Sequence, residues 1–264
     1  MSTFVLALQA FLFIIAVPAR AADYRPEALG EVGARVEQAA RAGARPVVVF
    51  DLDDTLINSR ERTTRILREL GESEEVRRAF PDDAETLAAT PVSRVRYYLE
   101  ETFANLGIDN KPLLAQANEF WLKRFFTNDY CAKDKPVRGA VGYVSWLAKL
   151  GAKVVYLTGR DAPNMEPGTR YNLTRSRFPM SPENTLLLMK PDPKMDDTEF
   201  KKTALAAIGR LGDVVGVFEN EPRNINVLHA AFPAAVAVFV DTVHSNKPDV
   251  PAADVAWVRD FRSE

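Results

Sequence analysis

The sequence predicts an α/β fold: a doubly wound parallel sheet of five strands, Rossmann-like, with a helical segment inserted after the first strand. Three observations carry that prediction. Five short apolar runs, PVVVF (46–50), AKVVYL (152–157), TLLLM (185–189), VVGVF (214–218) and AVAVFV (235–240), punctuate the 264-residue chain. Runs of this length without polar alternation read as strands buried on both faces. Helical periodicity lies between the later runs, and buried strands alternating with helices assemble into a parallel sheet with right-handed crossovers. The third observation is an interval. The second run begins only at Ala152, after far more chain than a crossover needs.

Composition narrows the function classes. With 47% hydrophobic and 27% charged residues the chain is an ordinary folded protein, one moderate domain or a core plus an insertion. A net charge of −2 gives no basic field for nucleic acid or an anionic membrane surface. Cys131 is the single cysteine, which excludes an internal disulfide, a thiolate zinc site and a c-type haem.

Taken in order, the first element is a leader. Residues 4–17, FVLALQAFLFIIAV, are apolar except for one glutamine, and PARAAD follows. Ala19 and Ala21 offer the small residues a signal peptidase needs, so residues 1–21 are expected to be a signal peptide cut after Ala21. The apolar run is short of the roughly 20 residues that cross a bilayer. That implies export, to the periplasm or the medium, with no stable membrane partner after cleavage. The n-region MST has no Lys or Arg, so an uncleaved anchor and a misassigned start codon remain as alternatives.

The first strand, 46–50, runs straight into DLDDT. Carboxylates at the end of a buried strand are costly unless paired or metal-bound. By strand alternation Asp51 and Asp53 share a face about 6.6 Å apart, and at an effective dielectric near 20 they repel by roughly 2.5 kcal/mol. A cation is expected between them. The stretch 59–136 then reads as helices (RERTTRILRELG, SRVRYYLEETFANLG, LLAQANEFWLKRFF) and is expected to form a cap over a core of 22–58 and 137–264. Ligands of open α/β sheets bind outside the carboxyl ends of the strands, so this cap would hang over the site.

In 138–150, Val141, Val144, Leu147 and Ala148 make an apolar stripe that Gly151 stops. The second strand ends YLTGRD, with Thr158, Gly159 and Arg160 at its carboxyl end. In 198–211, Phe200, Ala204, Ile208 and Leu211 recur at helical spacing. At about 100° per residue Lys201 lies near that stripe and Lys202 points to solvent. The fourth strand ends FENEPRN, placing Glu219, Glu221 and Asn224 at a third carboxyl end, and the fifth ends VDTVHS. Carboxylates at two strand ends, with a hydroxyl and a glycine at another, suit a divalent cation and an oxyanion. Without thiolates or paired histidines the ion is a hard one, and Mg²⁺ is expected.

These residues resemble a known family. DLDDT resembles the D-x-D-x-T signature of the haloacid dehalogenase superfamily phosphatases. LTGR looks like its second motif, and FKK followed by FENEPRN like its third and fourth. The four stand in the expected order over 46–240, and an exported chain of this layout is similar to the bacterial class B and class C acid phosphatases. The resemblance implies a Mg²⁺-dependent phosphomonoester hydrolase acting on a small molecule. Asp51 would attack phosphorus, and Asp53 would act as general acid and base. Thr158, Gly159 and Lys201 would bind phosphate, and Asp51, the Asp53 carbonyl and Glu219 would hold the metal. Lys190, in MKPDPK, competes with Lys201 for the lysine role. The fourth motif departs from the usual aspartates, so Asn224 and Glu221 both stand open as the further metal residue.

Other readings stand beside this one. DLDDT alone suits a strand-end turn, which would leave LTGR and FENEP unexplained. It is no EF-hand loop, since Leu56 and Arg62 replace the needed glycine and glutamate. Arg160 suits substrate or a structural ion pair equally, Arg94 and Arg96 a solvated face, His229 a core edge and His244 a cleft lining. NLT at Asn172 has the form of a glycosylation sequon. As function classes, a phosphotransferase and a non-enzymatic protein binding metal or a phosphorylated ligand remain alternatives to the hydrolase.

Overall fold

The structure, a computed structural model, describes residues 24–262. The signal peptide expected at 1–21, with its cut after Ala21, lies outside the described residues. Along the chain come α1 (Glu27–Arg41), β1 (Pro46–Phe50), β2 (Ile57–Asn58), α2 (Arg60–Glu72), α3 (Glu74–Ala79), α4 (Pro81–Ala88), α5 (Leu99–Leu106), α6 (Lys111–Phe125), α7 (Asn128–Cys131) and β3 (Lys135–Pro136). There follow α8 (Ala140–Lys149), β4 (Lys153–Asp161), α9 (Ala162–Arg175), β5 (Thr185–Lys190), α10 (Asp197–Gly209), β6 (Asp213–Glu219), α11 (Pro222–Ala231), β7 (Val236–Val240) and β8 (Ala256–Val258).

The main sheet is parallel throughout, in the order β5-β4-β1-β6-β7-β8. It has six strands, not the five expected. Strand β8 has only three residues, too few for an apolar run to announce it. All of β1 is buried because both its faces are covered. Val48 and Phe50 pack with Val32 and Val36 of α1 and Val144 and Leu147 of α8. Val47 and Val49 pack on the other side with Ile208 of α10 and Ile225 and Leu228 of α11. The chain leaves β1 toward β4 and β5, then returns to β6 on its other flank. The carboxyl ends of β1, β4 and β6 therefore border a topological switch point, where open α/β sheets bind ligands.

Between β1 and β4 the chain departs from the sheet. Strands β2 and β3 pair antiparallel, Ile57 with Pro136 and Asn58 with Lys135, so the helices α2 to α7 leave and return side by side. They have a core of their own, in which Leu67 and Leu70 of α2 meet Leu87, Phe103 and Leu113. Helices α2 and α4 pack closely at Gly71, where a Cβ would lie 2.5 Å from the Ala84 carbonyl oxygen. Side-chain mass at that crossing would force the helices apart.

Candidate active site

A cavity of about 390 Å³ opens between the ends of β1, β4 and β6 and the inserted helices. The turn after β1 makes its acidic part. Asp51 lies one residue past the strand, its amide still donating to Phe218 O at 3.0 Å. The Leu52 carbonyl then accepts from the amides of Thr55, Leu56 and Ile57, which bends the chain away from the sheet. Asp54 sits in this bend at φ 58°, a left-handed conformation that aspartate tolerates better than most residues. Its carboxylate accepts from the amide and the hydroxyl of Ser59. Burial raises the Asp54 pKa to about 7.

Asp51 is 5% exposed and Glu219, at the end of β6, 1%. The Lys201 ammonium of α10 reaches both, 2.8 Å from Asp51 Oδ1 and in a shorter contact with Glu219. Lys202 is exposed and pairs with Glu199, as expected of the outer face. Burial would lower the Lys201 pKa, but the two carboxylates outweigh it and hold the ammonium charged. Burial pushes both Asp51 and Glu219 upward, and for Glu219 the Asp51 charge adds to it. One ammonium between two buried carboxylates leaves the group short of positive charge.

Strand β1 stops at Phe50, so Asp51 and Asp53 stand past it and not on one strand face, yet both line the cavity. The two do not share a cation from the chain. Asp53 has its own pair: Arg160 donates from Nε to Oδ2 and from Nη2 to Oδ1, both at 2.8 Å, and Arg62 Nη2 reaches Oδ1 at 2.8 Å. Behind them buried Asp134, just before β3, accepts from Arg62 Nε at 3.0 Å and Arg160 Nη2 at 2.9 Å. Burial alone would raise the Asp53 pKa, but the two guanidinium groups outweigh it and hold the carboxyl well below the usual range. Its side chain is 30% exposed, toward the cavity.

The other residues expected at the site divide. Thr158 is buried on β4 and lines the cavity, its Oγ1 accepting from the Arg160 amide at 3.2 Å. Beside it a Cβ on Gly159 would meet the Asp197 carboxylate at 2.4 Å, so glycine permits that approach. Lys190 turns away from Asp51, pairing with Asp197 Oδ1 at 2.7 Å and the Met195 carbonyl at 2.9 Å. Asn224 and Glu221 both line the cavity but are engaged elsewhere, Asn224 by the Thr198 hydroxyl and Glu221 by the amide and hydroxyl of Ser245. Arg96 lines the cavity, whereas Arg94 bonds the Asn105 carbonyl. His244 borders a neighbouring cleft and His229 pairs with Asp254. Asn172 is buried, donating to the Asp134 carbonyl at 2.8 Å, which leaves no room for a glycan. Among the described residues no three His, Cys, Asp or Glu side chains gather as a metal cluster.

Sequence reasoning missed Arg62, Asp134 and the aromatic lining from the insertion, Tyr97, Tyr98, Trp121, Phe125 and Phe126. Arg62 is one of several arginines in RERTTR with nothing local to mark it. Its partner Asp134 is a lone aspartate far along the chain.

A family description, haloacid dehalogenase-like hydrolase, matches residues 46–231. No curated protein matches the sequence. Among solved structures, the class C acid phosphatase from Bacillus anthracis is similar at 15% identity, over 75% of this chain and 61% of that one, with a TM-score of 0.43. A HAD-superfamily hydrolase from Ehrlichia chaffeensis is similar at 11% identity, over 81% of this chain and 91% of that one, with a TM-score of 0.47. A family IA HAD hydrolase from Entamoeba histolytica shares 16% identity over 82% of this chain and 93% of its own, with a TM-score of 0.46.

Proposed function

The chain belongs to the haloacid dehalogenase-like hydrolases, and from that premise we propose that it hydrolyses phosphomonoesters through an aspartyl-phosphate on Asp51. The observation that carries this reading is the Lys201 ammonium, bonded at once to Asp51 and Glu219 beside the cavity. A carboxylate can attack a phosphoryl dianion only where fixed positive charge offsets the repulsion. Lys201 is anchored for that purpose by α10, with no reorganisation needed at the moment of reaction.

In the first step a bond forms between an Asp51 oxygen and phosphorus while the ester P–O bond breaks and the alcohol leaves. In the second, water attacks the same phosphorus, releasing inorganic phosphate and restoring Asp51. Asp53 is the acid and base of the pair. Its two guanidinium partners keep it ionised at rest, the form that takes a proton from water in the second step. To protonate the leaving alkoxide it must first take up a proton, which an approaching phosphoryl anion favours. Thr158, whose oxygen already accepts the Arg160 amide, keeps its hydroxyl proton for a phosphoryl oxygen, and the Gly159 amide follows it in the chain.

The donor set fits Mg²⁺. The Asp51 and Glu219 carboxylates and the Asp53 carbonyl are hard oxygens, and the two carboxylates outnumber their one ammonium. When bound, the ion would polarise the phosphoryl oxygens as a Lewis acid. The remaining positions would fall to water and substrate, as magnesium prefers.

Hydrolysis of p-nitrophenyl phosphate with Mg²⁺ and with EDTA, beside Asp51→Asn, tests the proposal. We expect metal-dependent turnover that the substitution lowers by about a thousandfold or more. Absence of turnover by the folded wild-type chain at acidic and neutral pH would end the reading. Full activity in Asp51→Asn would place the nucleophile elsewhere.

A further inference from the structure

The cavity has two chemically different sides. The strand ends contribute most of the charged groups just described, and the insertion contributes five aromatic rings alongside Arg60, Arg62, Arg96 and Glu100. Trp121 stacks on Phe125 at 4.2 Å, and Phe126 stands edge-on to both, 5.5 and 5.0 Å away. Tyr97 meets Tyr98 edge-on at 4.9 Å. Three of the five stay open to solvent: Tyr97 is 45% exposed, Tyr98 38% and Phe126 44%. Grouped exposed aromatic surface inside a cavity marks a place for an apolar ligand group.

Several of the polar groups among the rings are already engaged. The Trp121 indole donates to Thr63 Oγ1 at 3.0 Å, and the Asn118 amide donates to the Leu114 carbonyl at 3.0 Å. Arg96 donates to the carbonyls of Ser93 and Val95. Arg62, committed to Asp53 and Asp134, lies over the Phe125 ring at 4.2 Å. An alcohol hydroxyl set against the faces of these rings would lose its bonds to water without replacing them. At about 390 Å³ the space falls in the range of pockets that enclose drug-sized molecules, so a phosphoryl group with a small alcohol would leave the rings facing water.

We propose that the preferred substrates are phosphomonoesters whose alcohol carries an aromatic ring, received against Tyr97, Tyr98 and Phe126. This rests on the phosphomonoesterase reading above. The cavity contrast, polar and charged toward the reacting phosphorus and aromatic toward the alcohol, sets the orientation as well as the preference.

Benzyl phosphate, n-butyl phosphate and glycerol 1-phosphate test it, because all three release an alkyl alkoxide and differ in what the alcohol carries. The expected kcat/KM for benzyl phosphate exceeds that for either of the others by about fivefold or more, the scale of one aromatic contact. Tyr97→Ala and Phe126→Ala should bring the benzyl-to-glycerol ratio toward one, chiefly through KM, and Tyr97→Phe should retain it. Both side chains are nearly half exposed and belong to none of the buried cores, so truncation leaves those cores intact. Equal or better turnover of glycerol 1-phosphate would overturn the aromatic preference and leave the phosphatase standing. Failure of all three, and of p-nitrophenyl phosphate, would remove the premise and the preference together.

Discussion

At the level of single residues, the turn after β1 solves a charge problem that DLDDT poses. Even the roughly 2.5 kcal/mol of repulsion that strand spacing would give is smaller than the roughly 4 kcal/mol that one opposite charge at about 4 Å returns at the same effective dielectric of about 20. Protein cations therefore offset the repulsion between these two aspartates, Lys201 at Asp51, although it is shared with Glu219, and Arg160 and Arg62 at Asp53. The second arrangement is a balanced square, two guanidinium groups against Asp53 and Asp134. Breaking one corner leaves a buried charge uncompensated, whereas removing one charge of each sign keeps the balance. Arg62→Met should lower stability by about 3–5 kcal/mol, and Arg62→Met with Asp134→Asn by clearly less than the sum of the two single changes. Urea unfolding of the four proteins measures this. Additive losses would mean that Arg62 and Asp134 are not coupled as the geometry requires.

At the level of elements, helix α2 serves two ends of the molecule. Its first turn delivers Arg62 to Asp53, and its last carries Leu70 and Gly71 into the separate core of the insertion. Gly71→Ala would set a Cβ against the backbone of α4 and should cost about 1–3 kcal/mol. Hydrogen exchange should register the loss in α2, α3 and α4 and spare β1. Equal loss of protection in β1 would mean that the insertion does not hold its own core. The strands long enough to show as apolar runs were legible in the sequence, and so was the inner face of α10 that aims Lys201. Helix α1, assigned no element above, carries Ala28, Leu29, Val32 and Val36 at ordinary helical spacing and was equally readable. Strands β2, β3 and β8 were not, because two or three residues hold no period and their pairing is decided by tertiary register. The same limit hid the site's second half. Arg62 and Asp134 meet only once β2 and β3 pair, and Tyr97 and Tyr98 lie between helices, where no periodicity assigns a face.

For the whole molecule, the raised carboxyl groups tie stability to pH and to metal in opposite senses. Asp54 is held at about 7 by burial, and Asp51 and Glu219 are also pushed above their usual values. An acid whose pKa is higher in the folded state keeps its proton there after the unfolded chain has lost it. Stability from these groups is therefore present below about pH 4 and falls as pH rises through their folded values, to about 7 for Asp54. A divalent cation bound by Asp51 and Glu219 competes with those protons, so its stabilising effect should grow over the same interval. At a hundredfold excess over Kd it would contribute about 2.7 kcal/mol, or roughly 5–10 °C in Tm for a chain of this size. Thermal unfolding with Mg²⁺ and with EDTA, at intervals between about pH 5 and pH 8, separates the two effects. The EDTA series should lose Tm toward pH 8, and the Mg²⁺ increment should widen there and shrink in Glu219→Gln. An increment that is flat with pH, or intact in Glu219→Gln, would put the ion somewhere other than between the two carboxylates that Lys201 alone leaves undercompensated.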